Sequence, residues 1–176
     1  MKQDLKTNIN QYTIWLTGRP AAGKSTISKH MYNTLSSLGH NVFLLDGDDM
    51  RLGLSSDLGF SLEDRGENIR RAAEVCKMLN KRGFLVIATF ISPIEKDRLI
   101  AKDIIGENFR EIYIKASLGE CKKRDPKGLY KKVELGEIKN FTGIDSIYEE
   151  PTNPFLIIET EKQSAETSSR TIINKI

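Results

Sequence analysis

One short stretch, Gly18-Arg19-Pro20-Ala21-Ala22-Gly23-Lys24-Ser25, constrains this chain more than any other. It fits GxxxxGK[ST], with an apolar run before it (Thr13-Ile14-Trp15-Leu16-Thr17) and a helix-like segment after it. A loop of this pattern turns backbone N–H groups onto phosphate oxygens and sets them at the positive end of a helix. Lys24 reaches the outer phosphates and Ser25 offers its hydroxyl to Mg²⁺, with the loop continuing through Thr26. A glycine-containing turn of no special purpose is the plain alternative, and the intact Gly-Lys-Ser-Thr in its proper context argues against it. The signature predicts a nucleoside triphosphate and says nothing about what receives a phosphate.

Four more apolar runs follow: Val42-Phe43-Leu44-Leu45 ending at Asp46, Phe84 to Phe90, Glu111 to Ile114, and Phe155 to Ile158. Continuous runs of this length read as strands buried on both faces of a parallel sheet. Between them, Ile69, Ala72, Ala73, Cys76 and Leu79 recur at helical spacing from Asp64 to Lys81. Ser61-x-x-Asp64, Ser92-x-x-Glu95 and Ser117-x-x-Glu120 look like capped helix starts, the second with Pro93 at its first helical position. The alternation predicts an α/β fold, a doubly wound and mainly parallel sheet of about five strands flanked by helices. Ligands of such sheets bind beyond the carboxyl ends of the strands, here after Thr17, Asp46, Phe90 and Lys115.

The chain has 176 residues, which suits one domain across positions 1–176. Cys76 and Cys121 form neither a disulfide framework nor a zinc spacing. No apolar run approaches the ~20 residues of a membrane span. The start, Met1 to Gln11, lacks the apolar core of a signal peptide, so a cytoplasmic protein without a membrane partner is expected. With 27 basic and 24 acidic residues the net charge is +3, too small to argue for nucleic acid.

Other users of such loops fit poorly. The nearest guanine reader, Asn80-Lys81-Arg82-Gly83, lacks its Asp, and the third apolar run ends Phe90-Ile91-Ser92 without the acid of a motor ATPase. The acids stand instead after the second run, as Asp46-Gly47-Asp48-Asp49. Carboxylates so close repel one another unless a cation or donor lies among them; Mg²⁺ and an acceptor hydroxyl are the partners expected, a solvated turn the plain alternative. Arg65 shares the apolar line of its helix, and an Arg held at the ligand edge suits an anion. Lys122, Lys123, Arg124, Lys127, Lys131 and Lys132 surround a turn at Asp125-Pro126-Lys127-Gly128, and this basic segment reads as a mobile lid over phosphates.

These residues resemble a known family. Asp46-Gly47-Asp48, Arg51-x-Gly53-Leu54, Asp57-Leu58-Gly59-Phe60-Ser61, Asp64-Arg65-x-Glu67-Asn68-Ile69-Arg70-Arg71, Phe90-Ile91-Ser92-Pro93, Arg124 through Lys132, and Lys139-Asn140-Phe141-Thr142-Gly143-Ile144-Asp145 are similar to motifs of the adenylyl-sulfate kinases, over about Ile14 to Thr160. The resemblance implies a P-loop NTPase fold and transfer of the ATP γ-phosphoryl group, with Mg²⁺, to the 3′-hydroxyl of adenosine 5′-phosphosulfate (APS). It implies that Gly18 to Thr26 and Arg124 hold ATP, and that Arg51, Phe60, Arg65, Asn68 and Phe141 hold the acceptor. Phe60 and Phe141 would stack on its base. Asp46 and Asp48 would serve the hydroxyl, Ser25 and Asp48 the metal, and Lys127 and Lys132 the lid. A homodimer is implied on the same ground.

The family pattern also carries a phosphoserine at the position of Ser92. Read from the residues, Ser92 is instead a helix cap, with no His or other base beside it in sequence. Two departures stand out: Asp49 replaces the usual Asn, and Arg19-Pro20-Ala21-Ala22 replaces Leu-Ser-Gly-Ala or similar. They leave a second acceptor open, the 3′-hydroxyl of cytidine diphosphoramidate. A non-catalytic nucleotide sensor is the alternative of a different class.

Overall fold

Strand β1 (Thr13–Thr17) lies at the centre of a five-stranded parallel sheet in a computed structural model that describes residues 11–138 and 141–176. With β2 (Val42–Asp46), β3 (Leu85–Thr89), β4 (Phe109–Lys115) and β5 (Leu156–Glu159), the order is β2-β3-β1-β4-β5. Register pairs Leu16 with Thr89 and Ile112, and Asp46 with Thr89. The carboxyl ends of all five strands therefore share one edge, as the apolar runs predict.

Alternation along β1 divides the core. Ile14 and Leu16 face α1 (Lys24–Ser37) through Ile27, Met31 and Leu35, with Ile172 of α7 (Ala165–Ile173) on the same side. Trp15 faces the other way, onto Ile69, Ala72, Ala73 and Cys76 of α3 (Leu62–Asn80) and Ala101 and Ile105 of α4 (Glu95–Ile105). Both faces of the sheet are thus covered, which is why its strands read as unbroken apolar runs. The remaining helices, α2 (Gly47–Leu52), α5 (Leu118–Arg124) and α6 (Leu129–Glu134), stand at the ligand edge.

Two of the three expected caps form: Ser61 Oγ accepts from the Asp64 amide at 3.1 Å and Ser117 Oγ from that of Glu120 at 3.2 Å. The third does not. Helix α4 starts at Glu95 behind Ile94, and the Glu95 amide donates to Glu149 Oε2 at 2.7 Å. Pro93 is therefore outside the helix, and Ser92, at φ 38°, caps nothing. The reason is tertiary. The Ser92 hydroxyl is drawn inward, where it donates to Thr17 Oγ1 at 2.9 Å and accepts from Trp15 Nε1 at 3.1 Å. The acidic stretch also differs from an open turn, because Gly47 begins α2 and Asp46 is its N-cap.

Candidate functional site

The phosphate loop joins β1 to α1 with no room to spare. A Cβ on Gly18 would collide with the Ile114 carbonyl oxygen of β4, so only glycine passes there. Gly23 caps α1 in the left-handed region (φ 107°) without any side-chain hydrogen bond. The first-turn amides at Lys24, Ser25 and Thr26 consequently have neither an intrahelical acceptor nor a side-chain cap, and carry the positive end of the helix dipole. Lys24 Nζ donates to the carbonyls of Gly18 (2.7 Å) and Arg19 (2.8 Å). Desolvation lowers its pKa to about 8, with Lys127 pushing the same way and Cys121, Asp46 and Asp48 opposing. The cradle fits a triphosphate on these grounds.

Neighbouring elements pin the loop. Tyr130 of α6 donates its hydroxyl to the Pro20 carbonyl at 3.0 Å. Thr160, just past β5, donates to the Ala22 carbonyl at 3.0 Å and accepts from Arg124 Nη1 at 2.9 Å. Arg124 is further held by Glu120 at 2.9 Å and by the Thr160 carbonyl at 3.0 Å, which fixes a planar cation beside the loop. The Arg19 side chain reaches Glu150 at 3.6 Å and lies over the Tyr148 ring at 5.2 Å.

The carboxylates of the acidic stretch have separate partners. Asp46 accepts from the Asp48 amide at 2.8 Å and from Thr89 Oγ1 at 2.6 Å, so β3 and α2 together aim it. Asp48 Oδ2 meets Lys127 Nζ at 2.5 Å, from the turn between α5 and α6. That contact raises the Lys127 pKa above its usual value. Asp49 is exposed in the first turn of α2, where a negative charge suits the helix start. The expected partners of the acids are Mg²⁺ and an acceptor hydroxyl; in the structure Lys127 of the basic segment meets Asp48. Among the described residues no group of three or more His, Cys, Asp or Glu could hold a metal by itself. A Mg²⁺ that takes one or two protein ligands and completes its shell with phosphates and water needs no such cage, and Ser25 and Asp48 suit that role.

On the acceptor side, Arg51 lies 4.4 Å over the Phe60 ring and donates to the Gly59 carbonyl at 2.7 Å. Arg65 donates to the Phe60 carbonyl at 3.0 Å and to Thr142 Oγ1 at 2.5 Å, which joins α3 to the segment after α6. Desolvation lowers the pKa of both arginines. Phe60 is 65% exposed, an open aromatic face. Phe141 is not: at 9% exposure its ring packs edge-on against Tyr130, 5.0 Å between centroids. Asn68, one turn past Arg65, is buried and its Oδ1 has no hydrogen-bond partner. Lys132 is exposed on α6. Lys139 and Asn140 lie outside the described residues.

The Ser92 hydroxyl is engaged by Trp15 and Thr17 of β1. Ser92 is 2% exposed, and its carbonyl accepts from Arg98 Nη1 at 2.7 Å, while Arg98 pairs with Glu111 at 2.8 Å in the interior. Tyr148 adds its hydroxyl 3.1 Å from Thr17 Oγ1. Sequence reasoning misses Thr89, Tyr130, Thr142 and Thr160. Each acts through one hydroxyl whose partner is distant in the chain, and no periodicity marks such a residue.

Comparison with known proteins follows the same outline. The family model described as adenylylsulphate kinase matches residues 10–159. An adenylyl-sulfate kinase of Clostridium acetobutylicum is 49% identical over 160 residues, covering 91% of this chain and 80% of that one. One of Pseudomonas aeruginosa is 50% identical over 162 residues, 92% and 83% respectively. A Mycobacterium tuberculosis APS kinase, solved in complex with AMPPNP and APS, superposes with a TM-score of 0.90 at 40% identity over 93% of this chain and 96% of the other. A Janibacter sugar kinase at 13% identity and a TM-score of 0.63 shares the fold alone.

Proposed function

Because the chain belongs to the adenylyl-sulfate kinase family, we propose that it transfers the γ-phosphoryl group of ATP to the 3′-hydroxyl of APS, releasing ADP, the 3′-phosphorylated product (PAPS) and a proton. The observation that carries this reading is the meeting of Lys24, Asp46, Asp48 and Lys127 at one strand edge, with Arg51, Phe60 and Arg65 alongside. Phosphoryl transfer asks a protein chiefly to position groups and offset charge.

The first-turn amides of α1 and Lys24 bind the phosphate chain, and Arg124 flanks the nucleotide. Asp46, held by Thr89 and the α2 amide, supports the turn that presents Asp48. Asp48 orients the acceptor hydroxyl and receives its proton. Lys127, hydrogen-bonded to Asp48, brings the α5–α6 turn down onto the site. Mg²⁺, when bound through Ser25 and Asp48, screens the phosphate charge. Phe60 offers its face to the acceptor base while Arg51, Arg65 and Asn68 take the anionic tail, Asn68 through its side-chain N–H donors. The similarity to adenylyl-sulfate kinases favours APS over the cytidine nucleotide.

The chain acts as one kinase unit over positions 1–176, in the cytoplasm and as a homodimer. The family match over residues 10–159 supports the first. No described helix is long and apolar enough to cross a membrane. A hexameric APS kinase from Thiobacillus denitrificans resembles this chain over 28% of its own length, at 29% identity and a TM-score of 0.69. A coupled ADP-release assay tests the activity: release should require APS, stay low with cytidine diphosphoramidate, and vanish in Lys24→Ala. ADP release indifferent to APS would overturn the reading.

A further inference from the structure

Between α2 and α3 the chain runs from Gly53 to Ser61 without helix or strand and presents Phe60 at its end. The apolar side chains do little to hold this stretch: Leu54 is 64% exposed and Phe60 65%, and only Ser55, whose amide donates to the Met50 carbonyl at 2.8 Å, is buried. Polar ties hold it instead. At the Phe60 end, Asp64 Oδ2 accepts from the Gly59 amide at 3.0 Å, and Arg51 and Arg65 donate to the carbonyls of Gly59 and Phe60. At the other end stands a residue with no part in the proposed chemistry. Arg71 Nη1 donates to the Leu54 carbonyl at 2.8 Å and to Asp57 Oδ1 at 2.6 Å, and Nη2 donates to Asp57 Oδ2 at 2.8 Å. Its Nε donates to Glu67 Oε1 at 2.9 Å, and Arg70 holds Glu67 from the other side at 2.7 and 2.9 Å.

Exposed ion pairs usually contribute little, but a two-pronged guanidinium–carboxylate contact inside a wider network is the exception. Arg71 also reaches a main-chain carbonyl with the same nitrogen, so side chain and backbone of the loop are fixed at once. A lysine could not do this, because its single ammonium cannot fork. The ties at the Phe60 end are of another kind, since Arg51 and Arg65 are also assigned to the acceptor.

We propose that Arg71 is a positioning residue for the acceptor: through Asp57 and the Leu54 carbonyl it fixes the Gly53–Ser61 loop and so the seat of the Phe60 ring. This rests on the reading of Phe60 as an acceptor contact. The full chain is assayed as wild type, Arg71→Gln, Arg71→Lys, Asp57→Asn, Phe60→Ala and Arg71→Gln/Phe60→Ala. Arg71→Gln should raise KM for APS about tenfold and leave KM for ATP within about twofold, with Arg71→Lys and Asp57→Asn close behind. In the Phe60→Ala background, Arg71→Gln should add almost nothing, because both act through one contact. Equal rises in both KM values, a lowered melting temperature with both unchanged, or a full additional loss on top of Phe60→Ala would each overturn the proposal. Amide hydrogen exchange in the free protein decides the tie apart from the substrate. Residues 53–61 should exchange about tenfold faster in Arg71→Gln while β1 is unaffected. An unchanged loop overturns the inference even if APS is phosphorylated, and an absence of APS-dependent turnover in wild type condemns the proposed activity alone.

Discussion

Lys24 sits where a cation is needed and where its own solvation is poor, so its charge depends on pH within an accessible range. Burial lowers its pKa to about 8, below its ordinary 10.5. The sign follows: folding disfavours the charged form, a cost present in full below pH 8 and gone above 10.5. Phosphate binding asks for the opposite state, the ammonium. The affinity of the free protein for an ATP analogue should therefore fall about tenfold per unit as pH rises beyond pH 8, with slope near minus one in a titration by calorimetry. A level affinity up to pH 10 would contradict this placement of Lys24. Asp48 and Lys127, in contrast, are exposed and share their contact with water, so their pairing works as a latch rather than as a store of stability.

Helix starts show what local sequence can and cannot reveal. Ser61 and Ser117 cap because the acceptor and its amide are three residues apart and nothing distant competes. Ser92 carries the same pattern, yet Trp15 and Thr17, both on β1, capture its hydroxyl, and Glu149 supplies the α4 amide instead. The two roles make opposite demands on one substitution. Aspartate is as good a cap as serine, so Ser92→Asp would be near neutral at a helix start. In the interior it places a carboxylate beside the Trp15 ring nitrogen and Thr17. We expect a loss of about 3 kcal/mol or more, read from thermal or chemical unfolding. A variant within about 0.5 kcal/mol of wild type would restore the capping role. The acidic stretch teaches a related lesson: Asp46, Asp48 and Asp49 read as a turn, but a cap at Asp46 and favourable charges in the first turn make it a helix.

At the scale of the molecule, the strands and the phosphate loop are legible because parallel strands buried on both faces write themselves as unbroken apolar runs, and because the loop needs glycine where β4 comes close. The order of the strands is not legible, since it depends on crossovers the runs do not encode. Nor is the fate of the basic segment: Glu120 and Arg124 stand at helical spacing, but Lys122 and Lys127 are matched by Glu134 and Asp48 through contacts made only on folding. The motif around Phe141 implies a stacking face, and only folding reveals that this ring is largely buried against Tyr130. The position of β1 has a further consequence. Flanked by β3 and β4 and buried along its whole length, it anchors the triphosphate cradle to the buried centre of the sheet, while the Phe60 loop hangs outside it on side-chain ties. Mild urea should strip away the second substrate first, leaving a protein that still grips ATP but has become a sink for it. In a urea series, fluorescence of a bound ATP analogue should persist past the point where turnover has stopped, and simultaneous loss of the two would mean that both halves of the site soften together.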